Sequence, residues 1–297
     1  MRIGKNAKQI LDFILFLKLK LFFFLLTPCS IHFLNKLADI IGCLCYFILF
    51  PRRQTALRNL DKAFGDLKTK NEKKKIAIKS FQNFVRGILE MRYFYCRGTA
   101  EINRRFEYSG LENYTEALKK GPVLFISGHI GQFPLMVCKF ILDKFDMHII
   151  LKAVSNKYVE NMFNVYRQRL AKPDNIFKTI IYYKPRFIAL KRSLKELKSG
   201  HSLFIFVDQR FSNGIMTKFF GRDVLTATGA DTLARKTSAT VLPAFIIRKG
   251  AKHVINIGKA IPIGSDESEN TQKFTDQIEK NIRNYPGQWW WFHRRWR

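Results

Sequence analysis

Acidic residues are scarce in this chain: 23 Asp and Glu stand against 52 Lys and Arg in 297 residues, a formal net charge of +29. The imbalance excludes a basic partner as the main one and points to acidic ones: nucleic acid, anionic lipid, phosphorylated substrates or an acidic carrier protein. Cysteine is sparse as well. The five present, Cys29, Cys43, Cys45, Cys96 and Cys138, are odd in number and form no C-x-x-C pair. That argues against a disulfide framework and for free thiols in a reducing, cytoplasm-facing compartment. No zinc-type ligand spacing and no G-x-x-x-x-G-K phosphate cradle occurs, so the sequence indicates no metal, nucleotide or other cofactor. Apolar residues are not lacking: at 47% of the chain they are ample for a core.

The apolar content is concentrated first near the N-terminus. Ile10 to Leu26 follows a basic start, but Asp12, Lys18 and Lys20 interrupt it and no small-x-small cleavage site follows, so it reads as a retained segment. A second stretch, Leu37 to Phe50, ends at Pro51-Arg52-Arg53 and is short for a full span. The expected arrangement is one spanning helix with the other in the interface. Arg2, Lys5, Lys8, Arg52, Arg53 and Arg58 flank both stretches, so the charge bias sets no orientation but favours contact with anionic lipid. Thr55 to about Arg97 carries helical spacing broken at Gly65-Asp66, with Lys68 to Lys75 read as a charged connection and Ile76 to Tyr95 as a helix.

The stretch with the most chemistry is Val123 to Met136. Val123 to Ile126 reads as a short buried strand after Gly121-Pro122, and Ser127-Gly128-His129 turns out of it. A histidine is thereby placed at the carboxyl end of a strand, where open α/β sheets carry their chemistry, and neutral imidazole can take a proton from a hydroxyl near pH 7. An isolated histidine is more often packed beside a strand than catalytic, so the rest of the chain has to decide. It continues as helix over Leu135 to Leu142, strand over His148 to Val154, helix over Asn156 to Leu170, helix over Phe187 to Leu197 and buried strand over Ser202 to Val207. Upstream, Arg104 to Leu111 reads as a strand and Glu112 to Lys119 as a helix. Alternation of this kind predicts an αβα domain with a mostly parallel sheet. The strand from Ser202 ends in Asp208-Gln209; that carboxylate can orient the histidine or a substrate hydroxyl, or simply cap a turn.

Asp208-Gln209-Arg210, Phe219-Phe220-Gly221-Arg222, Thr228-Gly229, Leu233-Ala234-Arg235-Lys236-Thr237 and Val241-Leu242-Pro243-Ala244-Phe245 follow one another in fixed order. Asn59-Leu60-Asp61-Lys62-Ala63-Phe64 precedes them, and Pro286-Gly287-Gln288-Trp289-Trp290-Trp291-Phe292-His293-Arg294-Arg295-Trp296 closes the chain. In order and spacing these segments resemble the lipid A biosynthesis acyltransferases that add lauroyl or myristoyl chains, a likeness covering nearly the whole chain.

The resemblance implies an inner-membrane enzyme with an N-terminal anchor and a cytoplasm-facing domain of the glycerol-phosphate-acyltransferase type. Such enzymes move a fatty acyl chain from acyl carrier protein to a hydroxyl of a phosphorylated diglucosamine. It further implies that His129 is a general base on that hydroxyl. Five positions on, where the family has an Asp or Glu, this chain has Pro134, with Gln132 and Phe133 before it. Three outcomes stay open: Asp208 supplies the carboxylate, His129 works alone, or the fold persists as a glycolipid- or carrier-binding protein without the chemistry. Arg167, Arg169, Gln209, Arg210, Arg222 and Gly229 are the candidate substrate-binding residues, with Lys218, Arg235, Lys236, Arg294, Arg295 and Arg297 as further basic contacts for an acidic carrier or a phosphate. The tryptophans are read as packing against the catalytic domain. Residues 1–53 are expected to form the anchor region, 54–100 a helical region and 101–297 the α/β acyltransferase domain. A nucleic-acid-binding module would need a reader motif and no membrane segment, and neither condition is met.

Overall fold

The structure, a computed structural model, describes residues 5–171, 179–211 and 213–296. Arg2 and Arg297, singled out above, lie outside the described residues.

Three helices open the chain: α1 (Lys5–Leu25), α2 (Ile31–Ile48) and α3 (Phe50–Phe64). Ser30 caps α2 by accepting from the Phe33 N–H at 3.2 Å, which starts the helix well before the apolar stretch read from the sequence. Among the described residues α2 is the one helix long and apolar enough to cross a membrane. Pro51 does not end a helix; it occupies the first turn of α3, where its missing N–H costs nothing. After a turn of 3₁₀ helix at Gly65–Leu67 comes α4 (Lys70–Arg97). The charged connection expected over Lys68 to Lys75 is mostly helix, because Thr69 and Glu72 form a reciprocal capping box that satisfies the first free N–H groups and lets the lysines continue in helical register.

The remainder alternates: α5 (Thr99–Arg105), β1 (Phe106–Ser109), α6 (Leu111–Leu118), β2 (Val123–Ser127), α7 (Phe133–Leu142), β3 (Met147–Leu151), α8 (Lys157–Ala171), β4 (Ile180–Tyr182), α9 (Arg186–Lys198) and β5 (Ser202–Phe206). A hairpin of β6 (Ile215–Phe219) and β7 (Arg222–Thr226) comes next, then α10 (Gly229–Thr237), β8 (Thr240–Lys249), β9 (Lys252–Ile257) and α11 (Glu267–Asn284). Arg104-Arg105, expected to begin a strand, finish α5 instead, with β1 starting at Phe106.

Seven strands make one sheet in the order β1-β9-β8-β2-β5-β3-β4, parallel throughout except for the β8–β9 pair. This is the α/β fold with a mostly parallel sheet that the sequence predicts. Both faces of β2 are buried, and its residues alternate between two cores. Val123 and Phe125 join Tyr114, Leu135, Phe140 and Tyr166 on one side. Leu124 and Ile126 join Leu60, Leu197, Leu233, Phe274 and Ile278 on the other. Sandwiching of this kind makes β2 a rigid platform for the turn that leaves its carboxyl end.

Candidate active site

β2 and β5 are parallel neighbours, with Ser127 beside Phe206 in register and the Val207 N–H bonded to the Ser127 carbonyl at 3.0 Å. Their carboxyl ends therefore deliver His129 and Asp208 to one place. Nδ1 of His129 lies 2.7 Å from Oδ1 of Asp208, and the His129 backbone N–H donates to Oδ2 at 2.8 Å. The Trp289 indole N–H donates to the same Oδ2, also at 2.8 Å. Burial alone would raise the pKa of this 3% exposed carboxyl, but the His129 imidazole and the three hydrogen bonds hold it down to about 2. Asp208 is thus an anion whose two oxygens are both engaged, and its bond to Nδ1 places the ring proton there and leaves Nε2 as the acceptor. The Gln209 amide nitrogen lies 3.3 Å from that Nε2.

His129, Asp208, Gln209, Trp289, Trp290 and His293 line one narrow cleft. The imidazole is walled by aromatic rings: Phe206 at 4.6 Å, Phe133 at 4.8 Å and Trp290 at 5.1 Å between ring centroids. These surfaces exclude water from three sides of the ring and confine its rotation. His293 is pushed below the ordinary histidine value by burial, against the pull of the Asp208 charge, and so presents a neutral imidazole to the cleft at pH 7.

The turn carrying His129 is fixed from below. Gly131 adopts φ +60°, its N–H bonds the Gln288 carbonyl at 3.0 Å, and an added Cβ would sit 2.2 Å from the Ile246 carbonyl oxygen, so only glycine fits. Gln132, fully buried, donates to the Gly87 carbonyl at 2.9 Å and to Oε2 of Glu90 at 2.8 Å. Glu90 in turn pairs with Arg248 through two bonds, at 3.0 and 2.6 Å, with His253 3.6 Å away. Although burial opposes its charge, Arg248 and His253 keep Glu90 ionised, well below the usual carboxylate range. Pro134 then stands in the first turn of α7, where a backbone N–H is not needed.

The closing tryptophan segment completes the frame. Trp289 and Trp291 are buried, as the packing reading of the sequence expects. Asn59 bonds the carbonyls of Trp291 and His293 at 2.7 and 2.6 Å, and Ser80 bonds that of Trp289 at 2.5 Å. Asn59, the first residue of the segment Asn59 to Phe64, is therefore a clamp on the tryptophan segment, together with Ser80. Arg295, 1% exposed, bonds the carbonyls of Gln209 and Leu225 at 3.1 and 2.9 Å and Oγ1 of Thr226 at 2.7 Å. Burial lowers its pKa to about 10 against the pull of Asp208, which leaves it charged at neutral pH.

Of the residues singled out in the sequence, the cleft brings together His129, Asp208 and Gln209. Arg210 comes directly after them, half-buried. Arg167 lies on α8, 3.0 Å from Glu160, and Arg169 stacks 4.8 Å over the Tyr95 ring. Arg222 sits in a separate hollow with Lys62, Gly221, Asp223 and Trp296, its Nε bonded to the Lys62 carbonyl at 2.7 Å. Gly229 opens α10. Trp289, read from the sequence as packing only, and Gln132 and His293, given no role there, are site residues. The Trp-rich closing segment is the available signal for the first and third, while Gln132 is recognisable only once Glu90 is beneath it.

A family model described as bacterial lipid A biosynthesis acyltransferase matches residues 6–297. No curated protein matches the chain.

Proposed function

Because the chain belongs to the bacterial lipid A biosynthesis acyltransferase family, we propose that it transfers a fatty acyl chain from acyl carrier protein to a hydroxyl of a phosphorylated, glucosamine-based lipid A precursor. The observation that carries this reading is the His129–Asp208 pair at the carboxyl ends of β2 and β5. Nε2 of His129 takes the proton of the acceptor hydroxyl, displacing the Gln209 amide from that position. The oxygen attacks the thioester carbonyl of the acyl donor, forming a tetrahedral oxyanion. As the new C–O bond is retained and the C–S bond breaks, the thiolate leaves and recovers the proton from the imidazolium. Asp208 stabilises that imidazolium and fixes the tautomer without taking a proton itself.

Pro134 in place of the family's acid is the ground for the inactive, glycolipid- or carrier-binding alternative. With Asp208 already bonded to Nδ1, the carboxylate function is present from another strand, which supports the active reading. Arg210, next in the chain after Gln209, and Arg222, beside Lys62 in its separate hollow, are candidate contacts for acceptor phosphates, as are Arg167, Arg169 and Gly229.

The N-terminal region supports attachment to a membrane, and the family resemblance favours the inner membrane with the α/β domain facing the cytoplasm. Ile40, Leu44, Phe47 and Ile48 are exposed on α2, and Ile10, Leu17, Leu21 and Phe24 on α1, while basic residues such as Arg52 and Arg53 border them. The division at 53 and 100 is part of the same proposal. The test is incubation of the purified protein with a tetra-acylated lipid A precursor and acyl carrier protein loaded with one fatty acid. Mass spectrometry should show the precursor gaining one acyl chain, and acyl-coenzyme A should substitute poorly as donor. Failure to acylate the precursor with any donor would refute the reading.

A further inference from the structure

At the end of the sheet opposite His129, where β3 and β5 begin, three nitrogen- and oxygen-bearing side chains converge. His148 is the second residue of β3 and is buried; Glu196 lies in the last turn of α9; His201 stands just before β5. Nε2 of His148 is 3.3 Å from Oε2 of Glu196, and Nε2 of His201 is 3.9 Å from the same oxygen. The three ligand atoms all fall within 4.8 Å of one another. On its far side, Nδ1 of His201 is 2.7 Å from Oδ2 of Asp146.

We propose that His148, Glu196 and His201 form a binding site for one divalent transition ion of the zinc class, with Asp146 orienting His201 from behind. An ion with metal–ligand bonds of about 2.0–2.1 Å in tetrahedral geometry sets its ligands about 3.3 Å apart. The His148–Glu196 edge already has that length; of the two edges at His201, that to Glu196 is 3.9 Å and that to His148 lies within 4.8 Å, and closing on an ion requires the partly exposed His201 side chain to move inward. The bond from Nδ1–H to Asp146 leaves the His201 Nε2 lone pair directed at the ion, the arrangement that raises ligand basicity in histidine-metal sites. Two imidazoles with a single carboxylate suit zinc, cobalt or nickel and disfavour magnesium and calcium, which take oxygen ligands. Glu196 and His201 are partly exposed, so water can supply the fourth ligand. Arg192 stands 3.7 Å from the other Glu196 oxygen, Oε1; it holds the carboxylate in place, and its charge opposes the ion. The ligands come from β3, α9 and the turn before β5, so short zinc-type sequence spacings are not needed. Bound there, an ion would pin the start of β3 to the α9–β5 connection, away from the acyl-transfer cleft.

The test uses the full chain without a polyhistidine tag, in detergent micelles and stripped with chelator. Cobalt(II) titration should give one ion per chain with the visible absorption of a four-coordinate site, displaced by zinc(II) and not by magnesium(II). His148→Ala and His201→Asn should each weaken binding at least tenfold, and Asp146→Asn about tenfold or more. His201 is partly exposed, so His201→Asn remains informative if the His148 variant fails to fold. Absence of a one-to-one site, or parent affinity retained in His201→Asn, would overturn the proposal.

Discussion

The Asp208 carboxylate grips both ends of His129, with Oδ1 2.7 Å from the ring Nδ1 and Oδ2 2.8 Å from the same residue's backbone N–H. One side chain thus sets the tautomer, the rotamer and the position of the turn. Asp208→Asn keeps the shape but presents an amide N–H to one of these donors, so turnover should fall by about three to four orders of magnitude with little change in acceptor KM. Trp289→Phe removes one of the three bonds to the carboxylate and should cost roughly tenfold. Steady-state kinetics on the variants check both.

The same pair makes stability depend on acid. The folded-state value of Asp208, about 2, lies below its ordinary 3.8. Its contribution is therefore fully present above about pH 4 and is lost as pH falls through 2. Urea midpoints measured between pH 7 and pH 2 should converge for the parent and Asp208→Asn as the pH drops, whereas a constant difference would count against an ionised Asp208.

Pro134 occupies a helix first turn and touches neither the ring nitrogens nor the carboxylate through any polar group. Pro134→Ala should accordingly leave acyl transfer within a few fold of the parent. A loss of a hundredfold or more in the same assay would give Pro134 a role that its place in α7 does not explain.

Glu90 and Arg248 form a buried pair under Gln132, at 3% and 5% side-chain exposure. Glu90→Leu leaves the guanidinium uncompensated and should destabilise by about 3–5 kcal/mol, while Glu90→Leu combined with Arg248→Met should recover most of that. Thermal or denaturant unfolding of the single and double variants gives the coupling. Acyl transfer by the double variant should still fall, because Gln132 loses one of the two acceptors that hold the His129 turn and keeps only the Gly87 carbonyl.

Gly131→Ala faces both the left-handed φ of +60° and the Ile246 carbonyl 2.2 Å from the new Cβ. The turn has to move, so activity should drop by at least a hundredfold even where circular dichroism shows the fold retained.

Features that depend on local pattern are legible in the residues alone. The apolar run Val123 to Ile126 between Pro122 and Gly128 names its own strand, and the alternation of such runs with helical spacing names the sheet. Asp208 stands out because it ends another buried strand. That β5 lies next to β2, which turns two strand ends into one site, is a matter of strand order and invisible locally. Helix boundaries differ from the sequence reading where capping outweighs composition, as at Thr69–Glu72 and Ser30. Arg295 reads as a surface contact in the sequence; it is buried because the carbonyls of Gln209 and Leu225, 86 and 70 residues away in the chain, satisfy its guanidinium. Charge alone does not separate that role from the solvated one of Arg294 beside it, which is exposed.

Whether Nε2 of His129 takes the acceptor's proton is decided by following labelled acyl transfer from acyl carrier protein to a tetra-acylated lipid A precursor. Membranes carrying the parent, His129→Ala or Asp208→Ala are compared at matched protein levels. Transfer by the parent, with loss of about a thousandfold or more in His129→Ala and a comparable or smaller loss in Asp208→Ala, is the expected result. Transfer at the parent rate by His129→Ala would contradict it.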